Sequence, residues 1–186
     1  MPITIRLATA TDFEAVAALR LAAYRAAPEF TVTDEAAITR WDGQVLVAEN
    51  EEGLLATMQV VYCESLEEMR QYTGSTPAPV TFTALPTLIL KRGATWPGRY
   101  YQGLNSRLRL AALEMAQTNT SIKSLSGFVY DGAPRLNLLR QLGYSFTLVL
   151  NNFSDMSAHT SIFFVALQRP QFALAAEHLR QMLTLA

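Results

Sequence analysis

The sequence is poor in residue types that several functions require. Its 186 residues hold one cysteine, Cys63, two histidines, His159 and His178, and 15 lysines and arginines against 16 aspartates and glutamates. A single cysteine cannot form an internal disulfide, and a chain without a cationic surplus is poorly suited to binding nucleic acid. The histidines lie far apart and lack spaced Cys, Asp or Glu partners, so we expect no metal site.

Long apolar runs are also missing. The longest, such as residues 162–167, have the length of a buried strand and fall short of the roughly 18 residues of a membrane span. Charged residues in the first dozen positions argue against a secretory signal, and together with the single cysteine they predict a cytoplasmic protein. Half of the residues are hydrophobic. We therefore expect one domain over 1–186, with a core at 1–168 and a C-terminal helix at 169–186.

The spacing of apolar residues predicts a mixed α/β fold, because alternation is typical of strands and a 3.6-residue period of helices. Strands are predicted at 3–7, 44–49, 54–63, 80–95, 125–130, 144–150 and 161–168. Helices are predicted from Thr11 to Pro28, from Thr33 to Trp41, at 64–72, after 102, at 133–142 and at 170–185. Thr11 with Glu14 forms a capping-box pattern. Pro86 interrupts the long strand and is expected at an edge or a bulge.

The most informative segment is a predicted strand, turn and helix start. It comprises Thr95, Trp96, Pro97, Gly98, Arg99, Tyr100, Tyr101, Gln102, Gly103, Leu104, Asn105 and Ser106. Backbone N–H groups that point outward at a helix N-terminus favour an anion such as phosphate, and Gly103 allows close backbone approach. The alternative is an ordinary turn in which Asn105 or Ser106 caps the helix.

In the order of its elements the sequence resembles the GNAT superfamily of N-acyltransferases. Their pyrophosphate loop reads Arg/Gln-x-x-Gly-x-Gly/Ala after the fourth strand, and residues 100–105 match its central glycine, with Tyr100 and Asn105 at the two divergent ends. Residues 5–9 with Asp12, and residues 140–144, are similar to other family segments. The resemblance implies a mostly antiparallel sheet of about seven strands, flanked by helices, with an extra C-terminal helix. It also implies an acyl thioester donor, held by residues 95–106 in a V-shaped gap between the fourth and fifth strands.

Two groups that many family members use have no counterpart here. The family's tyrosine, four residues before Gly143, is Leu139, and the fourth strand carries Lys91 and Arg92 instead of a carboxylate. Neighbouring residues on a strand face opposite sides, so one of the two is expected to point into the cleft and bind a carboxylate of acceptor or donor. The alternative is that both extend from the strand end to solvent.

Tyr130 and Asp131 lie at the carboxyl end of the fifth strand, where ligands gather in open α/β sheets. Tyr130 is a candidate to protonate a departing thiolate, and Asp131 to accept a proton from an attacking amine. The alternative for Asp131 is a helix cap before residues 132–134. Glu64 and His159 are further candidate bases, whereas Cys63 has no neighbouring histidine that would activate it.

Residues 132–139 and 101–106 also resemble bacterial N-acyl amino acid synthases and acyl-homoserine lactone synthases. That resemblance implies longer acyl chains delivered by acyl carrier protein, with Arg99, Arg107, Arg109 and Arg135 against its acidic surface. The alternative for Arg107 and Arg109 is a solvated helix face. We therefore hypothesise an N-acyltransferase that uses acyl-CoA or acyl carrier protein and an amine, an amino acid being one candidate. The rival is a catalytically silent module that binds or senses an acyl thioester.

Overall fold

The computed structural model describes residues 2–28, 30–73, 83–98, 103–149 and 161–185. Seven strands form one sheet in the order β1-β2-β3-β4-β5-β7-β6, and every neighbouring pair is antiparallel except β4 and β5. The predicted mostly antiparallel sheet of about seven strands is confirmed. The strands are β1 Thr4–Leu7, β2 Gln44–Asn50, β3 Gly53–Cys63, β4 Thr87–Thr95, β5 Ser124–Tyr130, β6 Ser145–Val149 and β7 Ile162–Gln168.

Helices cover both faces of this sheet. They are α1 Phe13–Ala26, α2 Glu35–Thr39, α3 Leu66–Thr73, α4 Leu104–Thr118, α5 Leu136–Gln141 and α6 Phe172–Leu185. α1 packs against β3 and β4, and α6 packs against α4 on the opposite face. Phe172 and Leu179 of α6 are buried in the core, so the C-terminal helix covers its own domain.

Two predicted helix starts are wrong by one or two residues. A 3-10 turn at Ala10–Asp12 precedes α1, and the capping box joins Thr9 and Asp12 instead of Thr11 and Glu14. The side chain of Asp34, not Thr33, caps α2 by accepting the backbone N–H of Ala37 at 3.1 Å. The first error arises because Thr9 and Thr11 are each followed three residues later by an acidic residue, and the second because Thr33 and Asp34, both capping residues, are adjacent.

The fourth strand is shorter than predicted. β4 begins at Thr87, so Pro86 precedes the strand instead of interrupting it, and residues 80–82 lie outside the described residues. The carbonyl oxygen of Pro86 accepts the backbone N–H of Lys123 at 2.7 Å, and the Leu85–Pro86 bond is cis. Proline lacks a donor but keeps its acceptor, which is enough for the entry to a strand.

The two faces of the sheet differ in polarity. On the α4–α6 face, Leu88 and Leu90 of β4 join Leu104 and Leu108 in a continuous apolar core. The opposite face, against which α1 packs, has apolar clusters around Ile89 and Phe164 and around Val45 and Val47, but it carries buried polar side chains as well. They are Thr57, Gln59, Thr87, Ser124 and Ser126, each at most 1% exposed. Two of them, Thr57 and Gln59, lie beside the carboxyl half of β4.

Candidate active site

β4 and β5 separate towards their carboxyl ends. Their parallel pairing joins residues 87–90 to residues 124–127, whereas β4 continues to Thr95 beside β3 and β5 continues to Tyr130 beside β7. Beyond these four pairs, the facing edges of the two strands are not paired with each other. We call this region the β4–β5 gap. Unpaired strand edges present N–H and C=O groups to a ligand.

A glycine marks the point where the two strands separate. A Cβ atom placed on Gly127 would lie 2.6 Å from the carbonyl oxygen of Leu90, closer than real Cβ atoms come. Any side chain here would push the strands apart at their last paired residues. Gly127 therefore sets where the β4–β5 gap begins.

A bulge brings Lys91 and Arg92 to the same face, which corrects the expectation that they point to opposite sides. The register between β3 and β4 shifts after Thr57, and Arg92 has a φ of 49°, an uncommon value for a residue other than glycine. Lys91 lies opposite Gln59, on the α1 face. The side chain of Arg92 also reaches Gln59, because the bulge removes the usual alternation.

Arg92 is held by three acceptors. Its Nη1 donates to the carbonyl oxygen of Arg40 at 3.1 Å, to Oε1 of Gln59 at 3.0 Å and to Oδ2 of Asp42 at 3.4 Å. Gln59 in turn donates to the carbonyl oxygen of Asp42. The alternative that Arg92 extends freely into solvent is therefore wrong, since its side chain is 15% exposed.

Lys91 has an altered proton affinity. Burial, and next the positive charge of Arg92, lower the pKa of Lys91 to about 8, so less of this amine is charged just above neutral pH than is usual for a lysine. Lys91 can thus contribute either a positive charge or, above pH 8, a neutral amine at this face of the gap.

Arg20 of α1 adds a third cation, one that sequence reasoning missed. Its side chain is completely buried, and its Nη1 donates to the same carbonyl oxygen of Arg40 at 3.1 Å. Burial, followed by the charge of Arg92, lowers the pKa of Arg20 to about 10. The signal was available in the sequence: Arg20 stands four residues after Val16 and four before Tyr24, which places a cation on the buried stripe of the helix.

Three aromatic rings connect α1 with the end of β5. The ring of Phe30 lies 4.8 Å from that of Tyr24 and 5.8 Å from that of Tyr130, edge-on to the latter. Burial raises the pKa of Tyr24, and the positive charges of Arg135, Arg20 and Arg92 oppose this shift. Tyr24 therefore stays neutral and can only donate or accept a hydrogen bond at neutral pH.

Arg135 lies at the edge of β5 that faces β4. Its Nη2 reaches the carbonyl oxygen of Phe128 at 3.5 Å. The backbone N–H of Asp131 bonds Ser161 on the β7 side, and backbone groups alternate between strand edges, so the Phe128 carbonyl faces β4. Burial, and next Arg109, lower the pKa of Arg135. A cation is thus present in the β4–β5 gap.

Of the four arginines expected at a carrier-protein surface, the structure describes three, of which one is buried and two are half-buried. Arg109, for which a solvated helix face was the alternative, is 6% exposed and donates to the hydroxyl of Tyr144 at 3.1 Å. Arg135 is half-buried at the gap. Arg107 is also half-buried, and Arg99 lies outside the described residues.

The first turn of α4 lies beside β4, on the other side of the gap from α1. Gly103 begins the helix with a φ of 88°, and Arg107 closes the first helical bond to its carbonyl oxygen at 2.8 Å. The amide nitrogen of Asn105 lies 3.4 Å from the position of a Cβ on Gly93 of β4, and its Oδ1 is buried without a partner. Helix geometry leaves the first N–H groups of α4 without intrahelical partners.

The predicted donor-binding segment is only partly described. Thr95 and Trp96 are half-buried at the end of β4, where the Trp96 N–H bonds the carbonyl oxygen of Leu55 at 3.1 Å. Leu104 and Ser106 are buried, so the Leu104 side chain serves the core and only its backbone remains a candidate for binding. Four predicted residues, Arg99, Tyr100, Tyr101 and Gln102, lie outside the described residues.

Asp131 is exposed, and its Oδ1 accepts the N–H of Gly132 at 3.1 Å. It does not cap α5, because that helix begins only at Leu136 with Arg135 at the N-cap position. Leu139 is 1% exposed and belongs to the core. Burial raises the pKa of Cys63 to about 12, so this thiol is not an activated nucleophile. His159 lies outside the described residues.

The described residues lack two other kinds of feature. They contain no group of three or more His, Cys, Asp and Glu side chains that could hold a metal ion. Within the same ranges, no helix has the length and apolarity needed to cross a membrane.

Comparison with solved structures places this arrangement in a known fold, whereas no protein-family model and no curated protein matches the chain. An N-acyl amino acid synthase, FeeM, from uncultured soil microbes superposes with a TM-score of 0.67 at 14% identity, covering 94% of each chain. A ribosomal-protein-alanine N-acetyltransferase from Brucella melitensis gives 0.65 at 17% identity over 89% of this chain and 99% of its own. A GNAT-like decarboxylase in complex with isobutyryl-CoA gives 0.66 at 15% identity over 89% and 98%.

Proposed function

We propose that this chain, which has the GNAT fold, is an N-acyltransferase that moves an acyl group from a thioester donor to an amine. The observation that carries the proposal is the β4–β5 gap, with the first turn of α4 on one side and a cluster of cations and aromatic rings on the other. Structural neighbours of the same fold have names that describe transfer of acyl groups to amines. The two substrates would approach from opposite faces of the sheet and meet in the gap.

The donor would lie on the α4 side. The first N–H groups of α4, with residues 95–106 around them, are suited to the phosphate groups of CoA or of a phosphopantetheine arm, since the helix dipole favours negative charge there. Unpaired backbone groups of β4 and β5 would then bind the amide groups of the arm. We retain acyl carrier protein as an alternative source of the arm, with Arg107 as a candidate contact.

The reaction needs no covalent enzyme intermediate. The neutral amine attacks the thioester carbonyl carbon, the carbon–sulfur bond breaks, the sulfur leaves as a thiolate, and the amine loses one proton. Tyr130 is the candidate to protonate the thiolate, and Arg135 places a positive charge where negative charge develops. Asp131, or water, would accept the proton of the amine. Lys91 and Arg92 are retained as candidate ligands for a carboxylate on the acceptor.

The experiment incubates the purified chain with acyl-CoAs of increasing chain length, or with acyl carrier protein, and with pooled amino acids and amines. Mass spectrometry of the products is expected to show N-acylated product and free thiol in equal amounts. Tyr130→Phe is expected to lower kcat by about 100-fold, as for loss of a general acid. Asp131→Asn is the matched variant, expected to show a smaller effect because the side chain is exposed.

One alternative has specific support. The family's tyrosine position is the core residue Leu139, and Asp131 bonds its neighbour's backbone, both of which fit a catalytically silent module that binds an acyl thioester. Calorimetry with acyl-CoA separates the two functions. If acyl-CoA binds but no combination of donor and acceptor gives an acylated product, the chain is a binding module and the transferase proposal is refuted.

A further inference from the structure

Arg20 leaves one edge of its guanidinium group without a partner inside the protein. The side chain has no exposed surface, its Nη1 is bound to the carbonyl oxygen of Arg40, and its Nε and Nη2 have no hydrogen-bond partner. Nε and Nη2 lie along one edge of the planar guanidinium group, where their N–H groups point the same way and match the spacing of the two oxygens of a carboxylate. The unsatisfied edge of Arg20 is therefore the one that binds carboxylates best.

The surroundings of Arg20 do not balance its charge. Arg92 donates to the same carbonyl oxygen, so two cations share one neutral acceptor. Among the described residues the carboxylate that acts on Arg20 is that of Asp42, which already accepts from Nε of Arg40 at 2.8 Å and from Arg92 at 3.4 Å. One carboxylate thus serves three guanidinium groups. A buried cation without a counter-charge is costly, and the lowered pKa of Arg20 reflects that cost.

This unbalanced group lies on the acceptor side of the gap. α1 and β4 are in contact, and Tyr24, one turn after Arg20, connects through Phe30 to Tyr130 at the end of β5. The side chains of Arg92 and Asp42 are 15% and 16% exposed, whereas Arg20 is completely buried. Arg20 is therefore the innermost member of the cluster, and Arg92 and Asp42 lie between it and the solvent, so an entering anion would reach Arg20 from their side.

We propose that Arg20, through its Nε–Nη2 edge, binds the carboxylate of the acceptor together with Arg92, which restricts acceptors to amines that carry a carboxylate, such as amino acids. The anion site follows from the geometry around Arg20. Its assignment to the acceptor rests on the proposed function. Arg20 would then be a specificity-determining residue, and its buried charge would be balanced only when the acceptor is bound.

The first test compares ligands on the wild-type chain. Isothermal titration with L-leucine and L-phenylalanine, and with the corresponding amines that lack the carboxylate, is expected to show about 100-fold tighter binding of the amino acids, the value of two charge-assisted hydrogen bonds. Equal affinities for amino acids and amines would overturn the proposal.

The second test compares variants. Arg20→Met is expected to abolish the preference for amino acids while CoA binding on the α4 side stays unchanged. Arg20→Lys keeps the charge but not the fork and is expected to lose about 10-fold in amino-acid affinity, the value of one such bond. The control Arg180→Met removes an equal but exposed charge from α6, on the face of the sheet opposite to Arg20, and should leave all affinities unchanged. Wild-type affinity in Arg20→Met would overturn the proposal, and if that variant does not fold, Arg20→Lys decides.

The outcomes also separate this inference from the proposed function. Amino-acid binding that depends on Arg20, without acylated product from any donor, would refute the transferase and keep the anion site. Acylation of simple amines as fast as of amino acids, unchanged in Arg20→Lys, would keep the transferase and refute the role of Arg20.

Discussion

The half-buried Arg169 and the buried Arg20 differ in how many hydrogen bonds their guanidinium groups make within the protein. Arg169, which follows β7, donates to four backbone carbonyl oxygens in the last turn of α4 and in the segment between α4 and β5. Their residues are Ala116, Gln117, Asn119 and Ile122, at distances of 3.1, 3.3, 3.1 and 2.7 Å. These carbonyls belong to the end of a helix and the turn after it, where acceptors lack intrahelical donors. The charge of Arg169 is therefore fully used within the fold.

Arg20 has one such bond and two unsatisfied nitrogens, although it is the more deeply buried of the two. A fold that needed only a structural clamp at this place would satisfy those nitrogens, as it does at Arg169. The difference shows that burial alone does not identify a structural residue. The hydrogen bonds that a buried residue leaves unmade are the further guide, because unsatisfied buried donors are costly and a ligand can supply the missing acceptor.

The largest expected effect on stability comes from removing the guanidinium group of Arg169. Arg169→Met leaves three part-buried carbonyl oxygens and one exposed one without this donor and is expected to reduce the free energy of unfolding by about 3 kcal/mol. Urea denaturation monitored by circular dichroism measures this change. A loss below about 1 kcal/mol would mean that water replaces the guanidinium group, and the contrast with Arg20 would then disappear.

Arg20→Met is expected to act in the opposite direction in the absence of ligand. Removing a buried, unbalanced cation is expected to leave the free energy of unfolding unchanged or to raise it by about 1 kcal/mol, and the Arg40 carbonyl keeps Arg92 as its donor. Denaturation of both variants under identical conditions provides the comparison. A loss as large as that of Arg169→Met would show that Arg20 is a structural clamp after all.

At Lys91 the stability cost of a buried positive charge can be measured by changing the pH. Its folded pKa, about 8, lies below the ordinary value of 10.5, so the burial cost of the charge is fully present below pH 8 and disappears as the pH rises towards 10.5. Relative to Lys91→Met, the wild type should gain stability by up to about 1 kcal/mol per pH unit in that window. Parallel stability curves from pH 7 to 10 would show that Lys91 is hydrated.

The smallest effect is expected at an exposed pair. Arg180 lies 2.9 Å from Glu114, and the two side chains are 47% and 49% exposed. Arg180→Met should change the free energy of unfolding by less than about 0.5 kcal/mol, because solvent screens such pairs. Thermal unfolding measures it, and a larger loss would require the pair to act through the packing of α6 on α4.

The fold followed from the sequence because alternation and helical periodicity agree with the order of elements over most of the chain. The site followed less completely. Lys91 and Arg92 were recognised, but their faces were not, because a bulge with a positive φ cannot be read from a strand pattern. Arg20 was missed although its spacing from Val16 and Tyr24 carried the signal, since a lone arginine on a helix is usually solvated.

Gly127 and Arg135 show a second limit. Nothing local distinguishes a strand glycine that touches a neighbouring carbonyl from one in open space, because the contact with Leu90 joins residues far apart in sequence. Arg135 looked like a surface cation on the same grounds. Such positions are determined by the parallel crossover through α4, which local patterns do not encode.

The short parallel pairing of β4 and β5 also has a mechanical consequence. Four residue pairs, roughly 13 Å of strand at 3.3 Å per residue, join an antiparallel panel of four strands to one of three. Because so few residue pairs join them, the two parts of the sheet can act as rigid bodies about a hinge. A small rotation at Gly127 would then cause a larger displacement at the carboxyl ends of β4 and β5. A molecule that binds the unpaired edges of both β4 and β5 would restrict this hinge. Hydrogen exchange of the backbone amides of β5 would then become slower.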